Sequence, residues 1–195
     1  AAVKAGIPMS VPSLNVNKVC LSGLNSIHLA DQMIRAGEAD IVVAGGMESM
    51  TNAPYLAPGA RGGFRYGNTE LADAIVKDGL WCAFDVCLMG TGTEQYNAGG
   101  ISRDEQDDLA MKSNLRAAAA IAAGRLTEEI VAVEIPQRKG DPVVVQDDEG
   151  VRANTTMDSL GSLKPAFTKD GTITAANASQ ISDGASAVVV MSEKA

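Results

Sequence analysis

Polar and apolar side chains alternate through Asn15, Val16, Asn17, Lys18 and Val19, and this period of two predicts a short strand over residues 13–19. The period then lengthens. Leu24, Ile27, Ala30, Met33 and Ile34 recur at the spacing of one helix face, predicting a helix that runs to Gly37. Asp40 leads into Ile41–Ala44, an apolar run typical of a strand covered on both faces. The three segments form a strand–helix–strand unit with Cys20 at the first turn.

From residue 45 to about 100 the pattern is irregular and rich in Gly, Asn and Pro; only 70–78 has helical character. Ser102 followed by Glu105 is a capping box, and it opens a helix expected to reach about residue 123, with Gly124 ending it. Residues 130–135 and 143–145 read as strands around a turn at Lys139, Gly140, Asp141 and Pro142. After the small-residue segment 175–179, an apolar run at 187–191 predicts a last strand. The opening residues read as the last turn of a helix with Gly6 as its cap. The close falls just after a strand, so the chain is expected to be a fragment.

Composition narrows the functional class. At 46% hydrophobic residues the chain can bury a sizeable core, and 4% aromatics favours close-packed helices on a sheet over an aromatic-filled sandwich. A net charge of −8 with scattered Lys and Arg leaves no electrostatic footprint for nucleic acid. No apolar run is long enough to span a bilayer, so no membrane partner is expected. Cys20, Cys82 and Cys87 lack the spacing of a disulfide framework or a zinc site, which points to a reducing cytoplasm and no metal.

Chemistry concentrates at Cys20. The first turn of a helix offers free N–H groups and the positive end of the macrodipole, which stabilise a thiolate. Ser22 and Gly23 keep the turn small enough for a carbonyl to approach. Two readings stand on position alone: a nucleophile, or a small buried hydrophobe. The only histidine, His28, lies eight residues on, roughly 12 Å along the axis, and is too far to act as base for Cys20.

The segment from Asn17 to Gly23, and the run from Ala36 to Met50 containing Ala44-Gly45-Gly46-Met47-Glu48-Ser49, resemble the nucleophile motif and following strand of the thiolase family. The resemblance continues through Ala53-Pro54-Tyr55, Lys77-Asp78-Gly79-Leu80, Met89-Gly90, residues 102–106, residues 163–167, residues 170–179 and Asp183-Gly184-Ala185, covering nearly the whole chain in order.

The resemblance implies an α/β chain with a thiolase-like layered αβαβα fold, of which only part of the N-terminal domain and the inserted loop domain are present. Residues 1–50 and 180–195 would form the partial N-terminal domain, and 51–179 the loop domain that binds coenzyme A. Cys20 matches the acyl-accepting cysteine. Leu80, Arg152, Ser159, Ala175 and Ser179 match positions lining the coenzyme A site, with Arg152 against the adenine, and Met89 matches a methionine beside the acyl group. Read as residues alone, Leu80 and Ala175 are packing positions, Arg152 a solvated charge, and the serines turn or cap residues. Leu88 stands where some members carry a histidine against the pantetheine arm. The family's Asn-Glu-Ala-Phe, Gly-His-Pro and second Cys-x-Gly motifs, which supply its activating histidine and second cysteine, are absent from the chain.

The implied function is acyl transfer of the thiolase type: reversible condensation or thiolysis of 3-ketoacyl-CoA through an acyl-cysteine. Coenzyme A and acyl-CoA would be substrates, with no covalently bound cofactor. The parent protein would be a cytoplasmic homodimer or homotetramer in fatty acid metabolism, and this piece alone inactive. Two other classes fit less of the chain: a non-catalytic coenzyme A-binding or assembly subunit, and a ketoacyl-synthase-like condensing enzyme. The length of the loop domain and the Ala44–Ser49 run weigh against the latter.

Overall fold

A computed structural model describes residues 1–195, which divide into two compact units: Ala1–Leu80 with Ile181–Ala195, and Trp81–Gln180. The division falls later in the chain than position 51, because the short elements from 55 to 79 fold with the first unit.

The first unit is built on a two-stranded antiparallel ribbon. Strand β1 (Ile41–Ser49) pairs along its whole length with β8 (Asp183–Met191), from Ile41 opposite Met191 to Ser49 opposite Asp183. Helix α1 (Ser22–Arg35) packs on this ribbon, with Ala30 and Ala44 as the buried apolar side chains of the unit. Gly37, at φ +77°, ends the turn after α1 by donating to the Ile34 carbonyl, while Glu38 N–H reaches back to Met33. Alternation assigns the faces. Val42, Ala44 and Gly46, with Ser186, Val188 and Val190 opposite, share the face toward the helix. Ile41, Val43, Val189 and Met191 lie on the other face, each more than half exposed.

Residues 13–19 do not form the expected strand; a single bridge between Lys18 and Cys20 is all the pairing there. Alternation specifies a face, but a strand also needs a partner for its N–H and C=O groups, and no strand of this chain runs alongside residues 13–19. The helix expected over 70–78 is instead a two-residue strand, β3 (Ala72–Asp73), and a π-helical turn (Ile75–Gly79). β3 pairs with β2 (Tyr55–Leu56), and the Asp73 carboxylate accepts the Ile75 N–H at 2.8 Å, stopping the strand.

The second unit opens with a hairpin of β4 (Trp81–Cys82) and β5 (Cys87–Leu88), which runs directly into α2 (Met89–Asn97). Helix α3 (Arg103–Ala122) is its spine. The capping box expected at its start is present in both directions: Ser102 Oγ accepts from Glu105 N–H, and the Glu105 carboxylate accepts from Ser102 N–H at 2.8 Å. A hairpin of β6 (Val133–Ile135) and β7 (Val143–Val145) follows, then the short helix α4 (Met157–Gly161).

Little of the chain is shut from water. Two independently folded bodies of half this mass would together expose about 10,500 Å², whereas this chain exposes 15705 Å². Within this chain the buried apolar side chains number three: Ala30, Ala44 and Leu160. Replacing Ser102 with Ala should cost about 1 kcal/mol of helix stability. Urea unfolding followed by circular dichroism checks this, and an unchanged midpoint would contradict the role of the cap.

Candidate active site

Cys20 is exposed at the elbow that leads into α1. The elbow is held by short polar contacts. Asn17 Oδ1 accepts Val19 N–H at 2.9 Å, Ser22 Oγ accepts Lys18 N–H at 2.8 Å, and the same hydroxyl donates to the Val19 carbonyl at 2.7 Å. Val19 is thereby held at φ +50°, a left-handed conformation that a β-branched residue rarely adopts. Backbone strain of this kind costs on the order of 1–3 kcal/mol and persists only where the surroundings enforce it. Leu21, the cap position of α1, makes no side-chain capping bond, and the first turn contains no acidic residue. Ser22 N–H is taken by the Val19 carbonyl at 3.1 Å, and the N–H groups of Gly23 and Leu24 are left for an anion or a developing oxyanion.

Glycines place this elbow on the ribbon. A Cβ on Gly46 would meet Gly23 Cα at 3.1 Å, and one on Gly45 would meet the Ser186 carbonyl oxygen at 2.3 Å. Helix backbone and strand backbone thus touch without side chains between them. Ser26 Oγ reinforces the contact by donating to the Gly45 carbonyl at 3.0 Å and the Gly23 carbonyl at 2.7 Å. At the far end of β1, the Asp183 carboxylate accepts Thr51 N–H at 2.9 Å and the Ser49 hydroxyl at 3.1 Å; the Thr51 N–H is the main reason its pKa is lowered.

The seven residues singled out from the sequence fall in both units. Cys20 and Leu80 belong to the first, where Leu80 follows the π-helical turn and donates to the Ile75 carbonyl. Met89, Arg152, Ser159, Ala175 and Ser179 belong to the second. Met89 is half exposed at the start of α2; Arg152, Ala175 and Ser179 are exposed. Ser159 is a capping residue: its N–H donates to Thr156 Oγ1, and its hydroxyl accepts Thr156 N–H at 3.1 Å.

What organises this second group is a set of polar residues on α2 and α3, of which Asp107 is fully buried, that sequence reasoning passed over. Asp107, 1% exposed, accepts from Arg103 Nε at 2.6 Å and from Asn177 Nδ2 at 2.9 Å. Arg103 also donates to the Leu160 carbonyl at 2.6 Å, which ties down the helix bearing Ser159. Asn177 donates to the Thr172 carbonyl and accepts Thr174 N–H, shaping the loop that carries Ala175 and Ser179. Further along α3, Asn114 Oδ1 accepts Arg152 N–H at 2.9 Å. One helix therefore positions Arg152, Ser159, Ala175 and Ser179 together. The Arg103–Asp107 spacing of four was the available signal, although on a helix surface it reads as an ordinary exposed pair.

Glu94 of α2 closes the arrangement, accepting N–H groups from Thr172 at 2.8 Å and Ile173 at 2.7 Å, and the Thr172 hydroxyl at 3.0 Å. Partial burial pushes its pKa up, but these donors outweigh it and hold the carboxyl below its ordinary value. No group of three or more His, Cys, Asp or Glu side chains is placed to hold a metal ion. An open depression of about 400 Å³ lies between Leu126 and Asp148. It is lined partly by Glu129, Asp147 and Asp148, so its charge suits no phosphate, and it contains none of the residues above.

Against known proteins, the signature of the family described as "Thiolase, N-terminal domain" matches residues 1–194. The chain belongs to the thiolase family. It is 56% identical over 194 residues to a "Probable acetyl-CoA acetyltransferase" of Mycolicibacterium smegmatis, covering 99% of this chain and 50% of the relative. It is 53% identical over 193 residues to an "Acetyl-CoA acetyltransferase" of Cupriavidus necator, covering 98% of this chain and 49% of that protein. A solved acetyl-CoA acetyltransferase from Syntrophomonas wolfei superposes with a TM-score of 0.91 at 39% identity, over 98% of this chain and 48% of its own. The chain thus spans about half the length of the curated relatives it matches, and its fold is that part of the thiolase α/β architecture.

Two outcomes are expected from these contacts. Gly45→Ala should weaken the first unit by about 1–3 kcal/mol through the clash with the Ser186 carbonyl, read as a shift in the urea midpoint; no shift would mean that the strands do not approach as described. Because the folded pKa of Glu94 is lowered, its contribution is present above the ordinary glutamate value of 4.5 and is lost as pH falls through the folded value. The stability difference between the native chain and Glu94→Gln should therefore shrink below about pH 4.5; a constant difference down to acid pH would refute it.

Proposed function

We propose that the whole protein is an acetyl-CoA C-acyltransferase that forms and cleaves 3-ketoacyl-CoA, with Cys20 as its nucleophile. The observation that carries this reading is the strained, uncapped elbow that exposes Cys20 at the start of α1 in a chain of the thiolase family. The Cys20 thiolate attacks the thioester carbonyl carbon. The carbon–sulfur bond to coenzyme A breaks, and coenzyme A leaves as the thiol after taking a proton, while the acyl group stays on Cys20. This reading assigns the free N–H groups of Gly23 and Leu24 to the negative charge that collects on the carbonyl oxygen. In the second half-reaction, acetyl-CoA loses a proton from its methyl carbon and the resulting carbanion attacks the acyl-cysteine. A carbon–carbon bond forms and the Cys20 thiolate departs. Thiolysis runs the same steps backward.

Coenzyme A would be held through Leu80, Arg152, Ser159, Ala175 and Ser179, with Met89 beside the acyl group. Arg152 makes no ion pair, so its guanidinium is free to stack on an adenine. Cys20 makes no hydrogen bond to a histidine or carboxylate, and the groups that move protons are assigned to the remainder of the enzyme. The enzyme is a cytoplasmic homodimer or homotetramer of fatty acid metabolism, and the 195-residue piece is inactive by itself. A second reading, a coenzyme A-binding subunit without catalysis, draws on two separate observations: the Glu94–Asp107 framework of the second unit is complete, and Cys20 in the first unit has no base.

Acetyl-CoA incubated with the full-length enzyme should add about 42 Da at Cys20, and Cys20→Ala should abolish both the adduct and thiolysis of acetoacetyl-CoA. In the isolated chain, iodoacetamide at pH 7 should label Cys20 well ahead of Cys82 and Cys87, with no turnover. Equal labelling and no acyl adduct in the full-length enzyme would favour the binding subunit.

A further inference from the structure

Cys82 and Cys87 are the two cysteines that the proposed chemistry does not use, and the fold sets them face to face. Cys82 ends β4, Cys87 begins β5, and the two are directly paired in the antiparallel register. Directly opposed residues send their side chains to the same face of a hairpin, with Cα atoms about 4.5–5.5 Å apart, inside the range of about 4.4–6.8 Å that a disulfide spans. Both are free thiols of intermediate exposure, so a small oxidant can reach them. The connecting turn brings the strands back sharply, with Val86 at φ +52°.

The two thiols differ in their surroundings. Cys82 Sγ donates to the Asp85 carboxylate at 3.3 Å and accepts Asp85 N–H at 3.4 Å. Cys87 makes no such bonds. Its sulfur lies beside the first turns of α2, 3.8 Å from where a Cβ on Gly92 would stand.

We propose that Cys82 and Cys87 are a reversible oxidation site, forming a cross-strand disulfide when the protein meets a low-molecular-weight disulfide. The Cys87 thiolate attacks one sulfur of the oxidant, forming a mixed disulfide and releasing one small thiolate. Cys82 gives up its proton and its sulfur attacks the Cys87 sulfur, expelling the second small thiolate. The protein loses two protons and two electrons, and the oxidant is reduced to two thiols. A bond here closes the ring 82–87 and anchors β4 to the strand that leads straight into Met89 and α2. Cys87, whose sulfur is not tied by a hydrogen bond, is assigned as the attacking sulfur, and Cys82, held by Asp85, as the resolving one. None of this depends on the role of Cys20.

The test uses the full-length protein titrated with oxidised glutathione, then denatured, alkylated and digested. The expected result is simultaneous protection of Cys82 and Cys87, a loss of about 2 Da from the peptide joining them, and reversal by dithiothreitol. Cys82→Ser should trap a stable glutathione adduct on Cys87, with circular dichroism confirming the fold. Persistence of both alkylatable thiols at saturating oxidised glutathione would overturn the proposal, as would independent adducts on each cysteine or a bridge to Cys20. If Cys82→Ser does not fold, the digest of the native protein decides between these outcomes.

Discussion

The contact of Gly23 with Gly46 is the constraint on which the reactive end of the first unit depends. Two backbones meet there with no side chain between them, so the start of α1 is set by strand geometry and not by rotamers. Ser26 then bonds to the carbonyls on both sides of the contact. With the helix fixed, the chain arriving through Asn17 and Val19 has to turn within a few residues, and the strain at Val19 is the result. The exposure of Cys20 and the open first turn of α1 both follow from that geometry. If Cys20 is the nucleophile we propose, its position is determined before any substrate arrives, which is how binding energy is spared for the reaction.

The second unit uses the opposite strategy. Its segment 172–179 has few apolar side chains with which to pack, so its conformation is held by carboxylates and amides reaching across from α2 and α3. Glu94 gathers three donors from Thr172 and Ile173, and Asp107 gathers two from Arg103 and Asn177. Satisfied polar groups of this kind specify one arrangement, because any other leaves the buried Asp107 unpaired and the partly exposed Glu94 without its three donors. The loop is thereby shaped without apolar bulk at its face, which suits the polar ligand we propose for it.

Where the signal was local, the sequence was readable. The apolar stripe of α1, the capping box at Ser102, the β6–β7 hairpin and the last strand are all encoded by neighbours within a turn or two. Long-range dependence is what hid the rest. Residues 13–19 alternate correctly but lack a partner to pair with. Helix α2 contains Gly90 and Gly92, poor helix formers, yet a Cβ on Gly90 would strike the Phe167 ring at 2.3 Å, so the glycine is required by a side chain far along the chain. The same holds at the site. Cys20 was singled out from its place at a turn, and Arg152, Ser159, Ala175 and Ser179 only from the family resemblance; the structure adds the side chains that hold the last four in place. Glu94 gave no sign of its role, because its partners lie 78 and 79 residues away.

The ribbon of β1 and β8 carries a consequence of another kind. With only two strands, each one has an unpaired edge, and the outward face between those edges displays Ile41, Val43, Val189 and Met191. Open edges beside a β-branched apolar surface are the ingredients of sheet extension from one molecule to the next. Any further strand that joins this sheet has to hydrogen-bond to one of those two edges, and any layer that covers its outer face has to pack on those four side chains.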